Sequence, residues 1–125
     1  MPIDATQPYD ENNVFAKILR GELPCNKVYE DEHALAFHDI HPLAPAHILV
    51  IPKGAYVSWD DFSRNASDTE ITGFVRAVGE VARAEGMVVQ GYRLLANTGK
   101  RAGQEVGHLH VHVFGGGPLG PMLAR

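Results

Sequence analysis

The feature that most constrains this chain is the alternation of histidine with apolar residues between His108 and Phe114, where the sequence reads HLHVHVF. Successive side chains of a β-strand point to opposite faces. The pattern therefore predicts a strand that places three histidines on one face, about 6 to 7 Å apart. On the other face, Leu109, Val111 and Val113 are predicted to enter the core.

Three histidines in register indicate chemistry rather than packing, because threonine or valine would be better strand formers. One interpretation is a metal site, since imidazole is the commonest metal ligand. However, the outer pair, His108 and His112, would lie roughly 13 Å apart on an extended strand and could not meet one ion without a kink. The favoured interpretation is therefore nucleophilic attack on phosphorus by the central His110, without a metal, with its neighbours stabilising the phosphate oxygens.

Composition limits the classes of protein that could carry such a site. A chain of 125 residues, 45% of them hydrophobic, is expected to form one domain, which we assign to residues 12–125, after a flexible N-terminal arm at residues 1–11. The net charge of −4, without a basic stripe, makes nucleic acid an unlikely partner. One cysteine, no signal-peptide pattern and no apolar run near the roughly 20 residues of a membrane span predict a cytoplasmic location with no membrane partner.

The periodicity of the apolar residues predicts an α+β fold. A short helix is expected after Asn12 or Asn13 and up to about Arg20, and a long amphipathic helix between residues 67 and 85, where Ser67 opens a capping box. Two helices on one face of a five-stranded antiparallel sheet are the expected architecture. The strands are predicted at residues 28–30, 34–38, 47–51, 92–96 and 108–114.

The histidine segment matches the signature of the histidine triad (HIT) family, in which three histidines alternate with apolar residues. Residues 14–24 resemble the opening helix and turn of that family, and residues 36–47 resemble its nucleotide-pocket segment. Residues 103–107 and 116–123 resemble its bacterial Hint branch in particular. The resemblance covers about residues 12–123.

The resemblance implies a five-stranded antiparallel sheet with two helices, assembled into a homodimer with a continuous sheet. It also implies hydrolysis of purine nucleoside 5′-phosphoramidates, including adenosine 5′-phosphoramidate and substrates of the aminoacyl-adenylate type, to nucleoside monophosphates. The reaction would pass through a nucleotidyl-histidine intermediate and require no cofactor. Related branches leave two alternatives open, a dinucleoside polyphosphate hydrolase and a non-catalytic nucleotide-binding or interaction module.

Residue roles follow from the resemblance by position. His110 corresponds to the nucleophile, His108 and His112 to the flanking members that position it and contact the phosphate, and His47 to a fourth histidine near the site. His112 or a bound water would protonate the leaving amine. The expected substrate-binding residues are Asp39 at the ribose hydroxyls, Asn97, Gln104, Glu105 and Val106 near the phosphate and leaving group, and Val14, Phe15, Ile18, Phe37, His38 and Ile40 around the base.

The chain also departs from the family pattern. Residues 13–16 lack the Cys-x-x-Cys pair of zinc-containing relatives, so no structural zinc is expected. Gly107 stands where many relatives carry a bulky aromatic residue, and the tryptophan-containing tail of some relatives is absent. His33, His41 and Cys25 receive no role. On pattern alone, the apolar stripe of the first helix favours an ordinary core over a base-binding surface.

Overall fold

The computed structural model describes residues 2–123, so the predicted domain limit at residue 125 lies outside them. A five-stranded sheet with the order β1-β2-β3-β5-β4 is antiparallel at every pairing. This confirms the predicted α+β class and the antiparallel sheet. The elements are α1 (Val14–Leu19), β1 (Lys27–Glu30), β2 (Ala34–His38), β3 (Ala46–Pro52), α2 (Trp59–Asn65), α3 (Asp68–Ala84), β4 (Arg93–Leu95) and β5 (Val111–Gly115).

The ends of α1 and α3 follow the capping signals in the sequence. Asn13 precedes α1, and its side chain accepts a hydrogen bond from the backbone N–H of Ala16 at 2.9 Å. At the start of α3, Ser67 accepts from the N–H of Glu70, and Glu70 accepts in return from the N–H of Ser67, both at 3.1 Å. The predicted N-cap and capping box are confirmed, because these side chains satisfy N–H groups that a helix leaves unpaired.

The expectation of two helices was wrong, since the described residues form three. Helix α2 has only seven residues, and Phe62 is its one buried member. Apart from the exposed Trp59, Phe62 is the only apolar residue of α2, so the segment lacks the repeat of apolar positions on which the prediction relied. Its stability comes instead from the cap at Ser58 and from edge-to-face packing of Phe62 against Tyr56 and Phe74.

Helices cover both faces of the sheet, which corrects the prediction that they share one face. Alternate residues of β2 and β3 enter different clusters, because neighbouring strand residues point in opposite directions. One face, beneath α2 and α3, buries Ala34, Ala36, Ile48, Val50, Phe62, Phe74, Val78, Val81, Val111 and Val113, among others. The opposite face buries Phe15 of α1 together with Leu35, Phe37, Leu49 and Ile51.

The histidine segment is only partly strand. Strand β5 begins at Val111, so His108 and His110 lie outside it, in the segment that precedes it, which corrects the predicted strand of residues 108–114. The reason is a change of backbone partner, since the N–H of Leu109 donates to the carbonyl oxygen of Tyr56 rather than to β3. The predicted alternation nevertheless holds, and Leu109, Val111 and Val113 are all buried in the core.

None of the helices within residues 2–123 combines the length and apolar character needed to cross a membrane.

Candidate active site

The sheet brings together histidines that are far apart in sequence. His47 lies on β3 and His112 on the adjacent β5, and their ring centres are 5.1 Å apart. The ring of His110 lies 5.1 Å from that of His112 and 5.1 Å from that of Phe15 on α1. Both neighbouring strands and α1 therefore shape one site on the face opposite α3.

The backbone fixes the tautomer of His110. Its Nδ1 lies 2.9 Å from the carbonyl oxygen of His108, and because a carbonyl can only accept, Nδ1 carries the proton. In the neutral ring, Nε2 then holds a lone pair. Nε2 of His110 has no hydrogen-bond partner among the described residues. Every side-chain nitrogen and oxygen that is fully buried in those residues has a partner, so Nε2 is not fully buried. It therefore lies where solvent or substrate reaches it.

A second chain of contacts fixes His47 and His112. The N–H of Leu43 donates to Nδ1 of His47 at 3.1 Å, so the proton of the neutral His47 ring is on Nε2. That Nε2 donates to Nδ1 of His112 at 2.8 Å. The neutral His112 ring must therefore carry its proton on Nε2. The site thus places a lone pair on His110 beside an N–H donor on His112.

His108 is the most enclosed of the three histidines. Its side chain is fully buried, and Nε2 donates to the carbonyl oxygen of Pro52 at 2.8 Å. Nδ1 lies 2.6 Å from the hydroxyl oxygen of Tyr9 in the N-terminal arm, residues 2–11 as described. Both ring nitrogens therefore have hydrogen-bond partners within the chain. The expected contact of His108 with the phosphate stays a prediction, whereas its expected role in positioning His110 fits these hydrogen bonds.

Burial keeps these imidazoles neutral, because a low-dielectric environment penalises the charged form. It lowers the pKa of His108 and of His112 from 6.5 to about 4, with the neighbouring His110 adding to both shifts. Burial also lowers the pKa of His110 and of His47, although the Asp39 carboxylate opposes the shift in each. At neutral pH all four rings are therefore uncharged, as a nucleophile and a hydrogen-bond donor require.

Asp39 is anchored beside this network. One carboxylate oxygen accepts from the N–H of His41 at 2.8 Å, and the other lies 3.5 Å from Nε2 of His47. The side chain keeps 19% of its surface exposed. Lone pairs therefore remain for the hydroxyl groups of a ligand.

The loop between β4 and β5 carries the expected phosphate-binding residues, which occupy different environments. Asn97 and Val106 are half-buried, and Glu105 is exposed. Gln104 is fully buried, and its amide donates to the carbonyls of Val57 and Val106 and accepts from the N–H of Gly99. In the structure its side chain therefore braces the loop, and its expected position beside the phosphate and leaving group stays a prediction.

The expected base-binding residues divide between core and surface. Phe15 and Phe37 are buried and pack edge to face with ring centres 5.5 Å apart, and Ile18 is half-buried against the same cluster. His38, Val14 and Ile40 are exposed, Ile40 to 84%. The aromatic pair therefore supplies a rigid wall, and the exposed aliphatic side chains supply the apolar surface that a flat base could cover.

Among residues 2–123, one group of side chains could hold a metal ion. A ligand atom from each of Asp39, His47 and His112 lies within 4.8 Å of the others. However, the nearest ring nitrogens of His47 and His112 are 2.8 Å apart and share a hydrogen bond. Two nitrogens bound to one tetrahedral zinc ion would be about 3.3 Å apart. The two rings are therefore arranged as a hydrogen-bonded pair rather than as two ligands of one ion.

Comparison with known proteins identifies the family to which the chain belongs. The HIT domain family matches residues 20–119. The chain belongs to the HIT domain family. A 13.2 kDa HIT-like protein of Azospirillum brasilense is 67% identical over 94% of this chain and 96% of its own length.

Two further HIT relatives carry functional names. The purine nucleoside phosphoramidase of Escherichia coli K12 is 43% identical over 92% of this chain and 96% of that protein. A HIT family hydrolase from Clostridium thermocellum superimposes with a TM-score of 0.79 at 39% identity, covering 91% of this chain and 98% of the other. The predicted family is therefore confirmed, and hydrolases are among its relatives.

Sequence reasoning missed two side chains of this HIT site. Phe114 stacks on His112 with ring planes 2° apart and lies 4.3 Å from the ring centre of His47. Its position two residues after His112, on the same strand face, was a usable signal. Tyr9 offered no such signal, because it lies in a segment without periodicity.

Because the histidines are buried in their uncharged form, the free energy of unfolding should fall at mildly acid pH. The pKa of His108 is about 4 when folded and about 6.5 when unfolded, so its contribution is complete above 6.5 and is lost as the pH falls toward 4. His108 alone should lower the free energy of unfolding by about 2 kcal/mol between pH 7 and pH 5, where most carboxylates stay ionised. Urea unfolding at both values measures this difference.

A His108→Gln variant is the matched control, because glutamine does not bind a proton over this range. Its free energy of unfolding should depend less on pH than that of the wild type. Equal slopes for the two proteins would contradict the assignment of His108 as a buried neutral ring.

Proposed function

We propose that this chain hydrolyses purine nucleoside 5′-phosphoramidates to nucleoside monophosphates through a covalent bond between the α-phosphorus and Nε2 of His110. Substrates of this class include adenosine 5′-phosphoramidate and conjugates of the aminoacyl-adenylate type. The family assignment and the similarity to a purine nucleoside phosphoramidase support the class of reaction. The tautomers of the histidines support the mechanism.

The observation that carries the proposal is the accessible lone pair on Nε2 of His110. Nδ1 is bonded to the carbonyl of His108, so the proton cannot move to Nε2 without breaking that contact. Burial lowers the pKa of the ring, which keeps the lone pair free at neutral pH. A neutral imidazole held in one tautomer is an effective nucleophile toward phosphorus.

In the first step, Nε2 of His110 attacks the α-phosphorus in line with the leaving amine. A bond from this nitrogen to phosphorus forms while the phosphorus–amine bond breaks. The amine departs with one added proton, supplied by Nε2–H of His112 or by a water bound to it, and the negative charge left on that donor is balanced by the positive charge on the His110 ring. Nδ1–H of His110 stays on the carbonyl of His108, which stabilises the positive charge that develops on the ring.

In the second step, water takes the place of the amine and attacks the nucleotidyl-histidine. The phosphorus–His110 bond breaks, the nucleoside monophosphate leaves, and the proton of the attacking water restores the donor. The hydrogen bond from His47 holds His112 in the orientation needed to give a proton in one step and accept it in the other. Atoms and charges balance with water as the sole co-reactant.

Binding of the nucleoside follows from the surrounding surfaces. The carboxylate of Asp39 would accept hydrogen bonds from two vicinal ribose hydroxyls, and the purine would lie on the apolar surface of Val14 and Ile40 backed by Phe15. Asn97 and the backbone amides at residues 105 and 106 would donate to the phosphate oxygens. Each of these roles is part of the proposal.

The first test is steady-state hydrolysis of adenosine 5′-phosphoramidate by the wild type and by His110→Ala. Loss of the attacking nitrogen should lower kcat by at least about a thousandfold, since no other group replaces it. AMP affinity, measured by calorimetry, should change little, because the ring contributes a reacting atom rather than the main binding surface.

His33→Asn provides the control, because His33 is a half-buried histidine that packs on Gly73 of α3 rather than in the site. It should keep wild-type kcat. If the wild type binds AMP but turns over neither phosphoramidates nor diadenosine polyphosphates, the chain is a nucleotide-binding module and the proposal fails. Preferential turnover of diadenosine polyphosphates would instead favour the alternative hydrolase.

We further propose that the chain forms a homodimer across β4, which lies at one end of the sheet order. An open cavity of about 620 Å³ lies beside this strand, away from the histidines. Large apolar side chains at its margin are exposed, namely Trp59, Val75, Tyr92 and Leu94. Antiparallel pairing of β4 with its symmetry copy would continue the sheet and cover this surface.

Val75→Asp tests the dimer. Val75 is 56% exposed on α3, so a carboxylate there should leave the folded monomer intact while placing charge in the interface. We expect size-exclusion chromatography with light scattering to give about twice 13.6 kDa for the wild type and the monomer mass for the variant. Val89→Asp, at an exposed valine outside the cavity, should remain dimeric. A monomeric wild type at micromolar concentration would refute the dimer.

A further inference from the structure

The N-terminal arm is held against the loop that precedes the histidine segment. The N–H of Ile3 donates to the carbonyl oxygen of Gln104 at 2.6 Å. Six residues later, the hydroxyl oxygen of Tyr9 lies 2.6 Å from Nδ1 of His108, and the two rings pack edge to face with centres 5.6 Å apart. The arm therefore contacts the candidate active site at two points.

The direction of the Tyr9 hydrogen bond follows from the partners of His108. Nε2 faces the carbonyl oxygen of Pro52, which can only accept, so the single proton of the neutral ring is on Nε2. Nδ1 is consequently an acceptor, and the Tyr9 hydroxyl is the donor. Burial raises the pKa of Tyr9, so this hydroxyl keeps its proton at physiological pH.

Packing around Gly107 explains how the arm reaches His108. A Cβ atom placed on Gly107 would lie 3.2 Å from the Gln7 side-chain nitrogen and 3.9 Å from side-chain atoms of Ile3. The arm thus occupies the space that a side chain at residue 107 would take. A glycine at this position leaves room for Gln7 and Ile3, and Tyr9 continues from them to His108.

We propose that Tyr9 is a positioning residue of the active site and that the N-terminal arm is part of the catalytic unit. Its hydroxyl holds the ring of His108 in one tautomer and one orientation. The carbonyl oxygen of the same His108 accepts from Nδ1 of His110, which directs the lone pair on Nε2 toward the substrate. Tyr9 acts through His108 and makes no contact with the reacting atoms.

A purely structural role for Tyr9 makes a different prediction. Phenylalanine keeps the edge-to-face ring contact and removes only the hydroxyl, so Tyr9→Phe would behave as the wild type if packing were the sole function. If the hydroxyl matters, the same variant leaves Nδ1 of the fully buried His108 without a donor. An unpaired buried acceptor disfavours the present ring orientation.

The test compares Tyr9→Phe with Tyr29→Phe. Tyr29 is the matched control, because its hydroxyl donates to Asp31 at 2.8 Å and makes no hydrogen bond to the histidines of the candidate site. We expect kcat for adenosine 5′-phosphoramidate to fall about tenfold in Tyr9→Phe, since misorientation of the nucleophile affects the chemical step. KM should stay near the wild-type value, and Tyr29→Phe should match the wild type in both constants.

A second readout does not depend on turnover. Nitrogen-15 NMR of the imidazoles distinguishes a protonated nitrogen from a hydrogen-bonded acceptor and from a bare one. In the wild type, Nε2 of His108 should be protonated and Nδ1 should show an acceptor shift. Tyr9→Phe should change the His108 Nδ1 resonance, and Tyr29→Phe should leave it unchanged.

Removal of residues 1–9 gives a third variant, which should lower kcat at least as much as Tyr9→Phe. The kinetic effect rests on the proposed phosphoramidase activity, whereas the NMR shift does not, so the two failures can be told apart. An inactive wild type with the predicted His108 shift would refute the activity and support the contact. Wild-type kcat in Tyr9→Phe, or an unchanged His108 Nδ1 resonance, would overturn the positioning role.

Discussion

The hydrogen bond from Nδ1 of His110 to the carbonyl oxygen of His108 is the contact on which the site depends. A neutral imidazole has one proton and one lone pair, and the position of the proton decides which nitrogen can attack. The backbone holds the proton on Nδ1, and burial lowers the pKa so that a second proton does not bind at neutral pH. Neither influence alone would leave Nε2 available.

The sheet supplies the same control for the neighbouring rings. His47 and His112 lie on adjacent strands, and the hydrogen bond between them means that the tautomer of His47 determines that of His112. Burying polar groups is costly when they lack partners, and in the described part of the chain each fully buried side-chain nitrogen and oxygen has one. The opposite face of β5 packs Val111 and Val113 into the core, so the stability of the fold fixes the position of the site.

The sequence predicted those features of the fold that depend on residues close together in the chain. The caps at Asn13 and Ser67 follow from the unpaired N–H groups of helix termini, and the burial of Val111 and Val113 follows from strand alternation. The partners of the histidines could not be predicted in this way, because Tyr9 and the carbonyl of Pro52 come close only after the arm and the strands pack. For the same reason, the sequence could not show that the side chain of Gln104 is buried and braces its own loop. Helix α2 was missed because it has too few apolar residues to form a repeat.

The configuration at phosphorus distinguishes a double displacement through His110 from a direct attack by water. Each in-line displacement inverts the phosphorus centre, so two in succession restore the original configuration. A single isomer of adenosine 5′-phosphoramidothioate, hydrolysed in isotopically labelled water, gives a chiral product whose configuration can be determined. We expect net retention of configuration, because a covalent His110 intermediate requires two displacements. Net inversion would mean that water attacks the substrate directly, and it would contradict the covalent role of His110.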